Sequence, residues 1–333
     1  MPTRRVSSTE GRWWLAATVL VTVTPFAIAV VLAPPTHQRA GATLAWLLFV
    51  GSSVHVASTA WLYSLPEVRW CARAARTRHV VMPAVLVATT ASTAFVLSAD
   101  QFAWVLVPFL SWQLFHFQRQ NLGLAALAAR ATNARPLDPL ERRLINACAI
   151  AGIAALLSRP DRLELTVDPR LHWCFPIAAV AYVVFVLAGA VHLVRRRRSE
   201  SAATAALLMA SFAFFAPVFV FVSPYAAVAG LTLAHGLQYL VLLGFIGAAR
   251  QRTSVIAGAA LIVVAFAGGA VLHATSHLHD AGPSIGRGLF GAYLGLVMAH
   301  FVVDGGLWRL RDPRSRRFVS TYLPELMEPA PVA

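Results

Sequence analysis

Four histidines lie inside long apolar runs, where an ionisable side chain is costly to place. They are His55 in SVHVASTAWLY, His116 in WQLFHFQRQNLG, His235 in LAHGLQYLVLL and His300 in LVMAHFVVDGGLW. An ionisable residue inside a membrane segment usually marks a functional site. Because neutral imidazole is a common ligand of iron, copper and zinc, these histidines predict a metal centre.

Each of these histidines has polar neighbours three or four residues away, a spacing that places side chains on one helix face. These neighbours are Ser58, Thr59, Gln113, Gln120, Gln238, Tyr239 and Asp304. Groups of this kind often hold the second nitrogen of a metal-bound imidazole. We therefore expect Gln113, Gln120 and Gln238 to orient the ligands, and Tyr239 and Asp304 to transfer protons. Asp304 could equally pair with Arg309 or Arg311 at the membrane surface.

The inner half of the His116 segment is unusually polar, since Gln118, Arg119, Gln120 and Asn121 follow one another. Polar side chains at this depth favour a helix that faces the bundle interior or a wet cavity. Arg119, Gln120 and Asn121 could then contact a polar co-substrate or an anion. The alternative is a helix end that reaches the lipid headgroups.

The elements that must position these residues are transmembrane helices. Of the 333 residues, 58% are hydrophobic and only 13% are charged, and the apolar residues form runs of about twenty, the length of a membrane-spanning helix. This pattern predicts an all-α polytopic bundle of about ten spans. They lie near 13–33, 42–64, 80–98, 102–125, 143–158, 174–194, 202–223, 226–248, 254–272 and 286–308.

The charge pattern sets the expected orientation and domain limits. The formal net charge is +14, but the arginines cluster in short segments between apolar runs, which is typical of cytoplasmic loops. This argues against nucleic-acid binding and places both termini in the cytoplasm, with a bacterial inner membrane expected. The domains are then a cytoplasmic segment at 1–12, a transmembrane domain at 13–308 and a basic cytoplasmic tail at 309–333, disordered or on the surface beyond Phe318.

With this orientation the four histidines lie on the second, fourth, eighth and tenth spans, all of which run from outside to inside. Each is about nine to fifteen residues from the outer end of its span, so the helical rise of about 1.5 Å per residue gives them similar depths. They can therefore converge on one centre.

Other potential ligands are weaker. The segment HATSHLHDAG places His273, His277 and His279 in the last outer loop, where they either bind a metal or are simply solvated. The three cysteines are far apart and form no CxxC pair, so they indicate neither a disulfide framework nor a thiolate metal site.

The motifs AHFVVDGGLWRLRDPRSRR, SSVHVASTAW, LFHFQRQNLG and LAHGLQYL together resemble the Brp/Blh-type bacterial β-carotene dioxygenases. Those integral membrane enzymes cleave β-carotene with a histidine-bound non-haem iron. The resemblance implies iron ligation by His55, His116, His235 and His300. The chain departs from the family where HGxxD is typical, since Thr59 stands at the aspartate position. It also lacks the family's histidine pairs four residues apart.

These features favour a membrane-embedded non-haem iron oxygenase that acts on a lipid-soluble isoprenoid or fatty substrate. Copper or zinc could replace iron. The alternatives are a bis-histidine haem electron carrier, a proton- or metal-coupled transporter, and a structural membrane protein. Membrane lipids and a lipid-soluble small molecule are the expected partners.

Overall fold

The computed structural model describes residues 8–35, 38–196, 201–251, 255–280 and 285–327, and over these residues it is helical without strands. The prediction of an all-α polytopic bundle is confirmed. The α-helices are α1 Ser8–Leu32, α2 Ala42–Phe49, α3 His55–Leu62, α4 Pro66–Ala74, α5 Met82–Val96, α6 Ala99–Ala131, α7 Pro139–Leu157, α8 Cys174–Arg196, α9 Ala202–Ala213, α10 Ala216–Val220, α11 Gly230–Gln251, α12 Val255–Ser276, α13 Ile285–Leu307 and α14 Pro313–Tyr322.

Among the described residues, eight helical segments are long and apolar enough to cross a membrane, so the chain is a multi-pass membrane protein. They are Gly11–Leu32, Ala42–Leu62, Thr77–Val96, Cys174–Arg195, Ala202–Val220, Tyr225–Ala249, Gly258–His279 and Ile285–Leu307. The predicted spans at 102–125 and 143–158 are also helical, as α6 and α7, but they lie outside this set. Their polar and charged residues lower the hydropathy on which the prediction of about ten spans depended.

The chain divides into two compact units. Unit 1 comprises Met1–Ala45, Leu114–Val241 and Leu323–Ala333, and unit 2 comprises Trp46–Gln113 and Leu242–Tyr322. The first seven residues of the predicted N-terminal segment and residues 328–333 of the tail lie outside the described residues.

Unit 1 has a core of small and aromatic side chains. Gly152 on α7 lies against the ring of Phe215, and Phe26 on α1 packs edge-to-face on Phe214 with ring centroids 5.5 Å apart. Helix α7 begins at a capping box formed by Asp138 and Glu141, which satisfies backbone N–H groups at its first turn.

Unit 2 is assembled around close helix pairs. Helices α5 and α13 meet where Gly291 and Gly295 lie against the backbone and side chain of Thr90. On α12, a Cβ added to Gly269 would lie only 2.9–3.2 Å from atoms of Val54, the residue directly before α3. Small residues at such contacts let helix backbones approach closely in a membrane. The two contacts position α13 and α3, which contain His300 and His55.

Two short helices outside the spans, α4 and α14, bury one side and expose arginines on the other. The Tyr322 hydroxyl donates to Glu67 at 2.6 Å, and the Arg317 guanidinium lies 5.8 Å from the centre of the Trp70 ring. The tail is ordered further than predicted, because Leu326 is fully buried and Arg130 donates to the Met327 carbonyl in unit 1. The expectation of disorder beyond Phe318 was therefore wrong up to residue 327.

Candidate metal-binding histidines

In unit 2 the structure brings His55 and His300 together. His55 is the first residue of α3 and directly follows a π-helical turn at Val50–Val54. The two rings are nearly perpendicular, at 77°, with centroids 5.0 Å apart. Both side chains are buried, with 4% of His55 and 3% of His300 exposed. The π-helical turn before His55 is a feature that occurs frequently at functional sites.

Two polar side chains contact His300. The Thr59 oxygen lies 2.7 Å from Nδ1, and a carboxylate oxygen of Asp304 lies 3.5 Å from Nε2. Thr59 was expected beside His55, its neighbour on the same helix, but this contact joins it to His300. Ser58 instead donates to the main-chain carbonyl of His55 at 2.5 Å. The arrangement holds both nitrogens of His300 near oxygen atoms.

Unit 1 contains a second pair of the same geometry. His116 on α6 and His235 on α11 have ring centroids 5.0 Å apart and an interplanar angle of 79°. The Phe117 ring stacks on His235 at 4.2 Å. Another π-helical turn, Tyr225–Ala229, precedes α11. His235 is fully buried, and 9% of His116 is exposed.

A connected set of amides supports the main chain at His235. Gln120 donates to the His235 carbonyl at 2.8 Å and to the Gln238 side-chain oxygen at 2.8 Å. Gln238 donates in turn to Asn121 at 2.9 Å and to the Thr22 hydroxyl at 2.8 Å. These hydrogen bonds join α1, α6 and α11, so they fix the rotation of α11 and with it the direction of His235.

The remaining predicted site residues have different environments. Tyr239 is 1% exposed on α11, one turn beyond His235. Arg119 is exposed, on the opposite side of α6 from the buried Asn121. Gln113 is half-buried, and its side chain makes no hydrogen bond within the described part of the chain. The prediction that it orients a ligand therefore has no contact to support it.

Thr22 was not predicted as a functional residue, and Gln118 was predicted only as part of the polar inner half of the His116 segment. Gln118 is fully buried and donates to the carbonyls of Ile145 at 2.9 Å and Ser211 at 2.8 Å. Its oxygen accepts from Asn121 at 3.3 Å, so it extends the same network to α7 and α9. The available signal for Thr22 was its spacing of four residues from Thr18 in an otherwise apolar run, which places both hydroxyls on one face of α1.

The outer histidine cluster is exposed at the end of α12. The rings of His273 and His277 have centroids 4.5 Å apart, and Nδ1 of His277 lies 2.8 Å from the His273 carbonyl oxygen. His279 is also exposed. The side chain of Asp280 lies outside the described residues.

An apolar groove of about 500 Å³ lies between α5 and α13 in unit 2, lined by residues that include Phe95, Leu289 and Ala292. The groove is distant from His300, because its lining residue Ala292 precedes His300 by eight residues, or about 12 Å along a helix. We assign it no part in metal binding.

The chain matches no protein-family model, no curated protein and no solved structure. The resemblance to the Brp/Blh-type dioxygenases thus stays a prediction. The two buried histidine pairs, each with its own polar contacts, are the features from which a function can be inferred.

Proposed function

We propose that this protein is a membrane-embedded metalloenzyme, a non-haem iron oxygenase with His55, His116, His235 and His300 as metal ligands. Its substrate would be a lipid-soluble isoprenoid or fatty molecule, as expected for a site inside a membrane domain. The observation that supports this most directly is the equal ring geometry of the two buried histidine pairs.

That geometry suits two ligands at neighbouring positions of one metal ion. A metal–nitrogen bond of about 2.0–2.1 Å places an imidazole centroid about 3.2 Å from the metal. Two such rings at adjacent positions of a tetrahedral or octahedral ion then have centroids about 4.5–5.2 Å apart, and rings on opposite sides about 6.4 Å apart. The observed 5.0 Å in each unit fits adjacent positions. It fits opposite ligation of a haem iron poorly.

The proposal of a single centre for both pairs rests on their equal depth in the predicted spans. Bound ferrous iron would supply the dioxygen chemistry that protein side chains lack. The chain's own residues would hold the ligands and exclude water. Thr59 would fix the protonation of His300 at Nδ1, and Asp304 would accept or return a proton beside Nε2. The buried position of Tyr239 makes it a second candidate for proton transfer.

The test is iron analysis with an optical spectrum on protein purified without a histidine tag in detergent and reconstituted with ferrous iron under anaerobic conditions. The wild type should bind about one equivalent of iron without a Soret band. His300→Ala and His235→Ala, one variant from each unit, should each lose it. His172→Ala serves as the matched control, because His172 is exposed and lies outside both pairs.

Three outcomes would contradict the proposal. Full iron content in all four single histidine variants would show that these side chains are not ligands. A Soret band would favour the haem electron carrier. Two equivalents, each lost with only one pair, would replace a single centre with two separate sites. If iron is bound as expected, oxygen uptake with isoprenoid and fatty lipids then tests the oxygenase activity.

A further inference from the structure

A second cluster of metal-ligating side chains lies in unit 1, where α7 begins and α8 ends. Asp138 precedes α7, Glu141 belongs to its first turn, and His192 lies near the end of α8. One nitrogen or oxygen atom of each side chain lies within 4.8 Å of the other two. These residues take no part in the proposed oxygenase site.

The capping box of α7 leaves one oxygen of each carboxylate directed at the imidazole. Asp138 Oδ1 accepts the Glu141 main-chain N–H at 2.9 Å, and a Glu141 side-chain oxygen, Oε2, accepts the Asp138 N–H at 2.9 Å. The second oxygens, Oδ2 of Asp138 and Oε1 of Glu141, lie 2.8 Å and 3.7 Å from Nε2 of His192. The helix start therefore sets the position of both carboxylates before any ligand is present.

The His192 imidazole is hydrogen-bonded to only one of the two carboxylates. Nε2 can donate one hydrogen bond, and the 2.8 Å contact with Asp138 already takes it. The Glu141 oxygen, 3.7 Å from Nε2, is beyond hydrogen-bond range of His192. A cation placed between the three atoms would contact both carboxylates as well as the imidazole.

The distances are close to those of a zinc site. With metal–ligand bonds of about 2.0–2.2 Å, two ligand atoms of a tetrahedral zinc ion are about 3.3–3.6 Å apart. The two distances to Nε2 of His192, 2.8 Å and 3.7 Å, require only small side-chain adjustments, and the two carboxylates offer ligand atoms within 4.8 Å of each other. The side chains of His192 and Asp138 are 27% and 19% exposed, so an ion can enter and a water can complete the shell.

We propose that Asp138, Glu141 and His192 form a structural site for a divalent cation of the zinc type, which joins the start of α7 to the end of α8. The exposed pair His172 and Asp168 provides the internal comparison. Its nitrogen and oxygen are 3.1 Å apart, both side chains are more than half exposed, and no third ligand accompanies them within the described residues. It should behave as a plain hydrogen-bonded pair.

The test is equilibrium dialysis of the full-length protein in detergent against Zn²⁺, with bound zinc counted by elemental analysis. His192→Ala should bind about one equivalent less zinc than the wild type, and His172→Ala should match the wild type. Asp138→Asn is the second variant, because asparagine can still cap α7 through its oxygen. It should also lose one equivalent while its melting temperature without zinc stays close to that of the wild type.

Added Zn²⁺ should raise the melting temperature of the wild type and of His172→Ala, and leave that of His192→Ala unchanged. Equal zinc content and an equal zinc-induced shift in the wild type and Asp138→Asn would overturn the proposal, even if His192→Ala failed to fold. Because His300→Ala leaves this cluster intact, it should retain this equivalent whether or not the histidine pairs bind iron.

Discussion

The Thr59 side-chain oxygen lies 2.7 Å from Nδ1 of His300, so a residue of α3 contacts a histidine of α13 inside unit 2. Both side chains are buried. If His300 binds a metal through Nε2, its proton must sit on Nδ1 and be donated to this hydroxyl. The Thr59 hydroxyl then selects the form of His300 that can act as a ligand.

Replacing Thr59 with valine removes the hydroxyl and keeps the shape of the side chain. We expect Thr59→Val to lower metal affinity about 10- to 100-fold, the usual effect of losing a partner of a metal-bound histidine. Thr59→Ser is the control and should stay near the wild-type value. Competition with a chelator of known affinity measures the change. Equal affinities for the valine and serine variants would contradict this role for Thr59.

The contact of Gly291 with α5 should be sensitive to a single methyl group. An ideal Cβ at Gly291 would lie 2.6 Å from the Cβ of Ala94, whereas one at Gly288 would have its nearest neighbour at 3.8 Å. We therefore expect Gly291→Ala to lower the free energy of unfolding by about 1–3 kcal/mol, the usual cost of overpacking. Unfolding in mixed detergent micelles measures it. Gly288→Ala is the matched control, and an equal loss in both variants would show that the close approach is not the cause.

The amide network of unit 1 should lose stability when Gln238 cannot bond. Gln238→Met keeps the length of the side chain but removes its bonds to Thr22 and Asn121 and its acceptor for Gln120. Leaving buried polar groups unsatisfied should lower the free energy of unfolding by about 1–3 kcal/mol. Gln113→Met, at a half-buried position without such bonds, should change it by less than about 0.5 kcal/mol. Similar values for both variants would argue against a stabilising network.

Burial raises the pKa of the Cys71 thiol above its ordinary value, and the negative charge of Asp312 raises it further. We therefore expect this thiol to react slowly. A raised pKa keeps the proton to higher pH, so at pH 8.5 less of Cys71 is thiolate than of a free cysteine, whose pKa is about 8.5. Alkylation measured by mass spectrometry from pH 7 to 10 should rise late for Cys71. Asp312→Asn should shift this rise to lower pH, and an unchanged profile would exclude the charge effect.

The helical class and the histidines could be predicted because each depends on local sequence. Runs of about twenty apolar residues identify membrane helices, and a histidine within such a run is conspicuous. The pairing of His55 with His300 and of His116 with His235 could not be derived, since depth along a helix gives no information about which helices are neighbours. Thr59 illustrates this limit: helical spacing assigned it to His55, and tertiary packing joined it to His300.

The cluster of Asp138, Glu141 and His192 shows a different limit of prediction from sequence. Asp138 and Glu141 are recognisable in the sequence as a helix start, but His192 is more than fifty positions away and follows a long apolar run. Nothing in the local pattern links them. Only the packing of α7 against α8 brings Nε2 of His192 to 2.8 Å from Asp138. Ligands drawn from different helices therefore stay hidden until the fold is known.

The π-helical turn at Val50–Val54 places one extra residue in the helix directly before His55. Such a turn closes its hydrogen bonds over five residues rather than four, so it takes up one residue more than an α-helical turn. Removing one residue there would restore a regular helix and leave the side chains of α2 and α3 on almost the same faces. Removing one residue from α3 between His55 and Thr59 would instead rotate the following side chains by about 100°, so Thr59 would lose its contact with His300. Chain length should therefore be constrained less strictly in this turn than in α3.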